Sequence, residues 1–359
     1  MKYKLKDLVT IQYGKNQKAV EDNENGKVPI LGTGGTIGYA TNFLYDKPSV
    51  LIGRKGTIDK IRYVDFPFWT IDTLFYTEIN QKLVIPQYLY YKLLEINFKN
   101  LNEGTTIPSL RTQTLYELEL DIDSIDKQNK IVNILSLIDK KIEYNMHTNN
   151  NLYEIMRLKF NEWIDNLEDY ELSNLSSIAN YKNGLAMQKY RPENEIGLPV
   201  IKIKEMNSGI SAETERCKSD IDPEVIINNG DVLFAWSGTL CMTIWDSGKA
   251  GLNQHIFKVT SDKYPKWFYY FWTLKHLDKF IQIAAGKATT MGHIKRGELD
   301  FSEVLIPSSE ELNKMNQIMS PMLDKYIENK LENKTLEQLR DTLLPKLMNG
   351  EIDLDKVEI

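Results

Sequence analysis

The sequence predicts an α/β protein: two mixed α/β globular domains in tandem repeat, separated by two long helices paired as an antiparallel coiled coil. Three observations carry that prediction. Residues 126–163 contain neither Gly nor Pro, so nothing interrupts a helix there. Residues 310–347 form a second long amphipathic run. The stretches ahead of the two runs match segment by segment in the same order, which marks a duplication.

In chain order, residues 1–123 are expected to form the first globular domain. Residues 1–14 read as a strand or short helix ending at Gly14, and 15–27 as a polar loop. Residues 28–77 read as β-rich, with short apolar runs punctuated by Gly and Pro. Pro86 opens a helix with Tyr88, Tyr91, Leu94 and Phe98 on one face. A loop at 104–109 and a strand-like return at 115–122 complete the domain.

Region 124–167 is the central helix, roughly 57 Å long at ~1.5 Å per residue. Its seam runs Ile131, Leu135, Ile138, Ile142, Asn145, Asn149, Leu152 and Met156, in steps of four and three. Asn in such a seam costs stability and specifies register or partner. Residues 168–307 repeat the globular plan, with a β-rich part at 200–259 and an aromatic helix at 266–284. Region 308–359 holds the C-terminal helix, with Met315, Ile318, Met322, Ile327, Leu331, Leu336, Leu339 and Leu343 as its apolar stripe. Pro321 should disturb this helix and Pro345 should end it.

The repeat pairs Leu5-Lys6-Asp7-Leu8 with Leu172-Ser173-Asn174-Leu175, and Val28-Pro29-Ile30 with Leu198-Pro199-Val200. It also pairs the run 49–57 with 231–239, and Gly104-Thr105-Thr106 with Ala288-Thr289-Thr290.

Composition narrows the class. Hydrophobic residues make up 42 %, enough for real cores. No apolar run approaches ~18 residues and the N-terminus has no apolar signal region, so a cytoplasmic chain without a membrane span is expected. Cys217 and Cys241 form no metal or disulfide pattern, which suits a reducing compartment. The net charge of -6 is unfavourable for phosphate binding, but it is unevenly spread. Residues 1–62 carry eleven Lys and Arg against six Asp and Glu, and Lys287, His293, Lys295 and Arg296 cluster without an acid. Such patches on an acidic whole fit a protein that touches nucleic acid with part of its surface.

Several catalytic patterns are missing. No two prolines are adjacent, so there is no Asp/Asn-Pro-Pro-Tyr/Phe methyltransferase loop. No Gly-Lys precedes Ser or Thr, so there is no P-loop. Gly32-Thr33-Gly34-Gly35 looks like a dinucleotide loop but is followed by a strand-like stretch, so a turn is expected, with Thr36 and Tyr39 able to donate hydrogen bonds. Arg54, Lys55 and Thr57 follow a buried strand and suit phosphate or base-edge contact, or a solvated hairpin end. Ser237 and Thr239 are their counterparts in the second copy. Thr105 and Thr106, with Lys287, Thr289 and Thr290, lie in loops that precede each long helix. The aromatic runs at 88–91 and 267–272 have helical spacing and are expected to pack a core.

Together these features resemble the specificity subunit of Type I restriction–modification enzymes. The resemblance rests on Gly35-Thr36-Ile37-Gly38-Tyr39, on residues 49–57 followed by Phe68-Trp69-Thr70, on Asp126-Lys127-Gln128-Asn129 opening the long helix, and on the duplicated domain–helix order. It implies two target recognition domains, each binding one half of a bipartite double-stranded DNA site, and helices that dock two modification subunits. It implies a non-catalytic chain that binds no cofactor itself. S-adenosylmethionine, ATP and Mg are expected on the modification and restriction subunits. Trp236-Ser237 stands where the first copy has Arg54-Lys55, as expected for two different half-sites. Two other readings fit: a specificity subunit for a fused restriction–methylation system, and a coiled-coil scaffold with two peptide-binding heads.

Overall fold

The computed structural model describes residues 1–193, 196–286 and 292–356. The chain divides into two compact units, Met1–Asp139 with Gln338–Ile359, and Lys140–Glu337. The central helix Ile125–Asp165 and the C-terminal helix Ser309–Met348 each contribute residues to both.

In unit 1, strands Val9–Tyr13, Leu74–Ile79, Ser49–Gly53 and Ile61–Val64 form one antiparallel sheet in that order. A second sheet joins Gly35–Ala40, Val28–Gly32 and Trp69–Thr70. The strand Ser49–Gly53 is buried along its whole length, which is why it reads as an unbroken apolar run. Helix Pro86–Leu94 lays Tyr88, Leu89 and Tyr91 into the core beneath it, so the first aromatic run is packing, as expected. The glycine-rich segment is the tip of a hairpin between two strands, not a phosphate loop before a helix. The return at 115–122 is only partly a strand: Thr112–Tyr116 is helical and the strand is Glu119–Asp121, paired with Lys2–Lys4.

Unit 2 repeats the plan with Asn180–Asn183, Ile256–Thr260, Val232–Ala235 and Cys241–Ile244. Helix Lys266–Ala285 buries Trp267, Phe268, Phe271 and Phe280 against it. The structure corrects the repeat at its start. Helix Leu5–Leu8 corresponds to Leu175–Ile178, three residues later than sequence matching placed it. Leu5 donates its N–H to Leu118 O at 2.8 Å and Leu175 to Ser302 O at 3.1 Å, and both leucines are fully buried. A second difference follows strand Leu198–Ile201. Unit 1 continues into the hairpin strand Gly35–Ala40, whereas unit 2 continues into helix Ile203–Ser208. The counterpart of the hairpin strand comes after that helix: Arg216–Cys217 pairs antiparallel with Leu198–Ile201, with Arg216 opposite Pro199 as Tyr39 is opposite Pro29.

Within each unit the long helices run antiparallel. In unit 1, Ile131 and Leu135 share a core with Leu344, Leu347 and Met348, and Arg340 meets Asp139 at 3.1 Å. In unit 2, Ile142, Asn145 and Asn149 are buried, and Leu152 and Ile327 pack against the aromatic core. Ile138 and Leu331 are half-buried. The expected stripe on the C-terminal helix is displaced: Ile318 and Leu339 are exposed, while Met319, Leu323 and Asn329 are buried. Polar residues occupy this seam because the facing helix supplies their partners. Pro321 and Pro345 lie inside Ser309–Met348 and neither ends it. Burial of Leu323, Leu344 and Leu347 around them outweighs the two lost backbone hydrogen bonds.

The seam asparagines form two hydrogen-bonded clusters across the helix pair. Asn145 Nδ2 donates to Glu332 Oε2 at 2.8 Å and to Asn333 Oδ1 at 2.9 Å. Asn329 Nδ2 donates to Asn149 Oδ1 at 3.0 Å, and Asn149 Nδ2 to the Tyr326 carbonyl at 3.0 Å. Asn149→Leu alone is expected to cost ~1–3 kcal/mol, because it strands the buried Asn329 amide. Replacing Asn145, Asn149, Asn329 and Asn333 together by Leu removes the stranded groups. That variant should recover the stability but pair in more than one register. Urea unfolding and sedimentation of the two variants check this.

Candidate nucleic-acid interface

Each unit builds the same two-loop platform at the end of its buried central strand. In unit 1, Gly56 N donates to Pro108 O at 2.8 Å and Leu110 N to Arg54 O at 2.9 Å. In unit 2, Gly238 N donates to Gly292 O at 2.8 Å and Ile294 N to Trp236 O at 3.1 Å. The loop after the central strand is thus zipped in both units to the loop that follows the aromatic helix. Bridges Lys55–Ser109 and Ser237–His293 stand at the same place. Sequence candidates that lie about fifty residues apart come together here.

A third segment completes each platform. Arg54 N donates to Thr73 O at 2.8 Å, and Trp236 N to His255 O at 3.2 Å. The first strand of the sheet ends alongside at Tyr13 or Asn183. In unit 1 the Arg54 guanidinium lies 5.0 Å over the Tyr13 ring, and its Nη1 donates to Asp72 O at 2.8 Å. In unit 2 the Trp236 Nε1 donates to Asn183 Oδ1 at 2.9 Å, and its ring packs against His255 and His293 at 5.7 and 6.4 Å. The backbone frame is one and the side chains are two. The same Arg54 Nη1 lies 4.0 Å from the Asp72 carboxylate, and a guanidinium aimed in this way suits a guanine edge or a phosphate through its other N–H groups. An indole pinned among imidazoles offers a flat apolar surface and few donors.

The remaining candidates divide clearly. Lys55 is exposed and Thr57 half-buried at the turn. Thr105 and Thr106 are exposed on a loop closed by Asn102, whose Oδ1 accepts from Gly104 N and Ser109 N, both at 2.9 Å. Thr36 and Tyr39 are exposed on the hairpin, with Ile37 beside them. In unit 2, Thr239 and Lys295 are exposed and His293 is half-buried. Ser237 does not present its side chain: at 4 % exposure it is tucked under the second loop, leaving Trp236 and Thr239 to face outward. Lys287, Thr289 and Thr290 lie outside the described residues.

Tyr13, Asp72, Asn102, Asn183 and His255 were not among the sequence candidates. Tyr13-Gly14 and Asn183-Gly184 could have been found as matching positions, had the first strands been aligned through their glycines. Among the described residues no cluster of His, Cys, Asp and Glu could hold a metal ion, and no helix is long and apolar enough to cross a membrane.

Comparison with known proteins shows the family of the chain. Residues 1–154 and 167–341 each match the model of the Type I restriction modification DNA specificity domain. The specificity subunit of the Type I restriction enzyme MjaIX of Methanocaldococcus jannaschii is 24 % identical over 360 residues, covering 88 % of this chain and 80 % of that protein. The HindI specificity subunit of Haemophilus influenzae is 21 % identical, covering 80 % and 82 %. The solved Type I restriction–modification S subunit from M. genitalium has the same fold, with a TM-score of 0.57 at 18 % identity over 97 % of this chain and 95 % of that one. Two copies of one domain, matched over almost the whole length, identify the chain as a member of the Type I restriction–modification DNA specificity subunit family.

Proposed function

We propose that each platform binds one half of a bipartite double-stranded DNA site, and that the long helices dock two modification subunits. The observation that carries this is the twice-built platform, with matching backbone hydrogen bonds and different outward side chains. A duplicated frame with exchanged side chains is what reading two different half-sites requires. Docking is supported by large apolar side chains left exposed on the central helix, Leu137 at 56 %, Tyr144 at 66 % and Leu158 at 58 %, spaced by whole heptads. The chain itself is non-catalytic in this reading. Methyl transfer from S-adenosylmethionine, and ATP- and Mg-dependent steps, belong to the modification and restriction subunits.

The test is duplex binding titrated with salt. Binding should fall steeply as salt rises, because Lys and Arg displace counterions from phosphates. Lys55→Glu should weaken it by about tenfold or more, ~1.4 kcal/mol. Lys334→Glu, on a helix where Lys334 pairs with Glu337 at 3.1 Å, should change it by less than about twofold. Equal losses for both, or a flat salt dependence, would remove the platform from the DNA surface and favour a peptide-binding scaffold.

A further inference from the structure

We propose that unit 2 carries a second anion site, a groove that grips the phosphodiester backbone of the bound duplex away from the platform. This rests on the DNA-binding reading above. The groove has a volume of about 400 Å³ and is lined by Ser176, Asn180, Thr260, Asp262, Lys263 and Arg296, among others. Among the described residues Arg296 and Lys263 make no ion pair, and the Lys263 ammonium lies 5.1 Å over the Tyr264 ring. Hydroxyl and amide residues of the stretch that carries Lys263 and of one further stretch, 176–181, line the same space.

Its place in the fold ties it to the platform. Asn180 and Asn183 are the two ends of one strand; the first lines the groove and the second holds Trp236. That strand is ~10 Å long. His293 and Arg296 lie three residues apart on the loop that serves both places, at most ~11 Å of chain. Phosphates along one DNA strand recur every ~3.4 Å of helix axis. A duplex whose base edges meet the platform therefore carries a phosphate past Arg296 about three nucleotides away.

The charge balance selects the ligand. Two cations beside the single carboxylate of Asp262 leave a net charge of one, which matches a phosphodiester monoanion. A phosphate monoester carries about −1.5 to −2 and would leave about half to one negative charge unbalanced beside Asp262. Unit 1 lacks the device. By strand register Gln81 stands where unit 2 has Lys263, and by the loop hydrogen bonds Thr112 stands where it has Arg296. Nothing in the shared fold requires the two cations, so they are an addition of unit 2.

The experiment uses the full chain assembled with its modification subunits and a duplex carrying its methylated site. Affinity is measured against salt for wild type, Arg296→Gln and Lys263→Gln. Each variant should lose roughly 0.9 of the log–log slope per phosphate contact, with the methylated half-sites unchanged. Asp262→Asn should bind more tightly. A methylphosphonate at the contacted position should weaken wild type but not Arg296→Gln. Slopes parallel to wild type in both variants would overturn the groove while leaving the platform standing. Altered half-sites would overturn it as well, by showing base contact. Loss of inorganic phosphate binding in Arg296→Gln with unchanged duplex slopes would overturn it in favour of a free-anion site. A wild-type complex with no salt-dependent duplex binding would defeat the DNA reading itself.

Discussion

Gly14→Ala is expected to abolish recognition by unit 1, and Gly184→Ala recognition by unit 2. A Cβ on Gly14 would stand 1.9 Å from the Ile71 carbonyl oxygen and 2.7 Å from that of Thr70. On Gly184 it would stand 2.0 Å from Leu252 O and 2.4 Å from Asn253 O. These neighbours are backbone, so the strand and the segment beside it must part. That segment holds the platform residues: Thr73 O and Asp72 O accept from Arg54, and His255 O accepts from Trp236. Overpacking of this kind costs typically 1–3 kcal/mol, and two close carbonyls put it near ~3. If that cost falls on the bound geometry, affinity drops about 100-fold. Binding to duplexes with one half-site altered separates the units: each glycine variant should become indifferent to one half-site and stay selective at the other.

Trp267→Ala is expected to cost ~4 kcal/mol, within the range of 3–5 seen for large aromatic truncations. Trp267 is fully buried, its ring lies 5.6 Å from both Trp163 and Phe268, and its Nε1 donates to Asn316 Oδ1 at 2.8 Å. The loss should lower the melting temperature by roughly 10 °C. Trp267→Phe keeps most of the ring contact and should recover more than half of it. The same helix packs Phe280 against Phe234, centroids 5.8 Å apart, on the strand that leads into Trp236. Half-site discrimination by unit 2 should therefore fade before binding itself does. Calorimetry and half-site competition on the two variants check both points.

The duplication and both long helices are legible because they are periodic. A heptad seam such as Ile131, Leu135, Ile142 and Met156 repeats a rule of helix geometry, and burial follows it. The aromatic helices are legible for the same reason. Where the period is interrupted, the reading slips. Asn329 is buried though it lies outside the expected apolar stripe, and Leu339 and Ile318 look right by type but face solvent. Polar residues enter a seam only when a partner waits across it, and that partner lies about two hundred residues away in sequence.

The sequence alone determined that a globular fold is built twice, each copy with a helix, and that the loop after the central strand carries different residues in each copy. The tertiary structure decided what those loops face. Arg54 needs Tyr13, Asp72 and Thr73 to be aimed, and Trp236 needs Asn183, His255 and His293. It also turned Ser237 inward and brought Arg296 and Lys263 to one groove. Periodicity is local and survives in one dimension. A binding surface is assembled from strand ends and loops whose spacing along the chain carries no period, so only pairing in space reveals it.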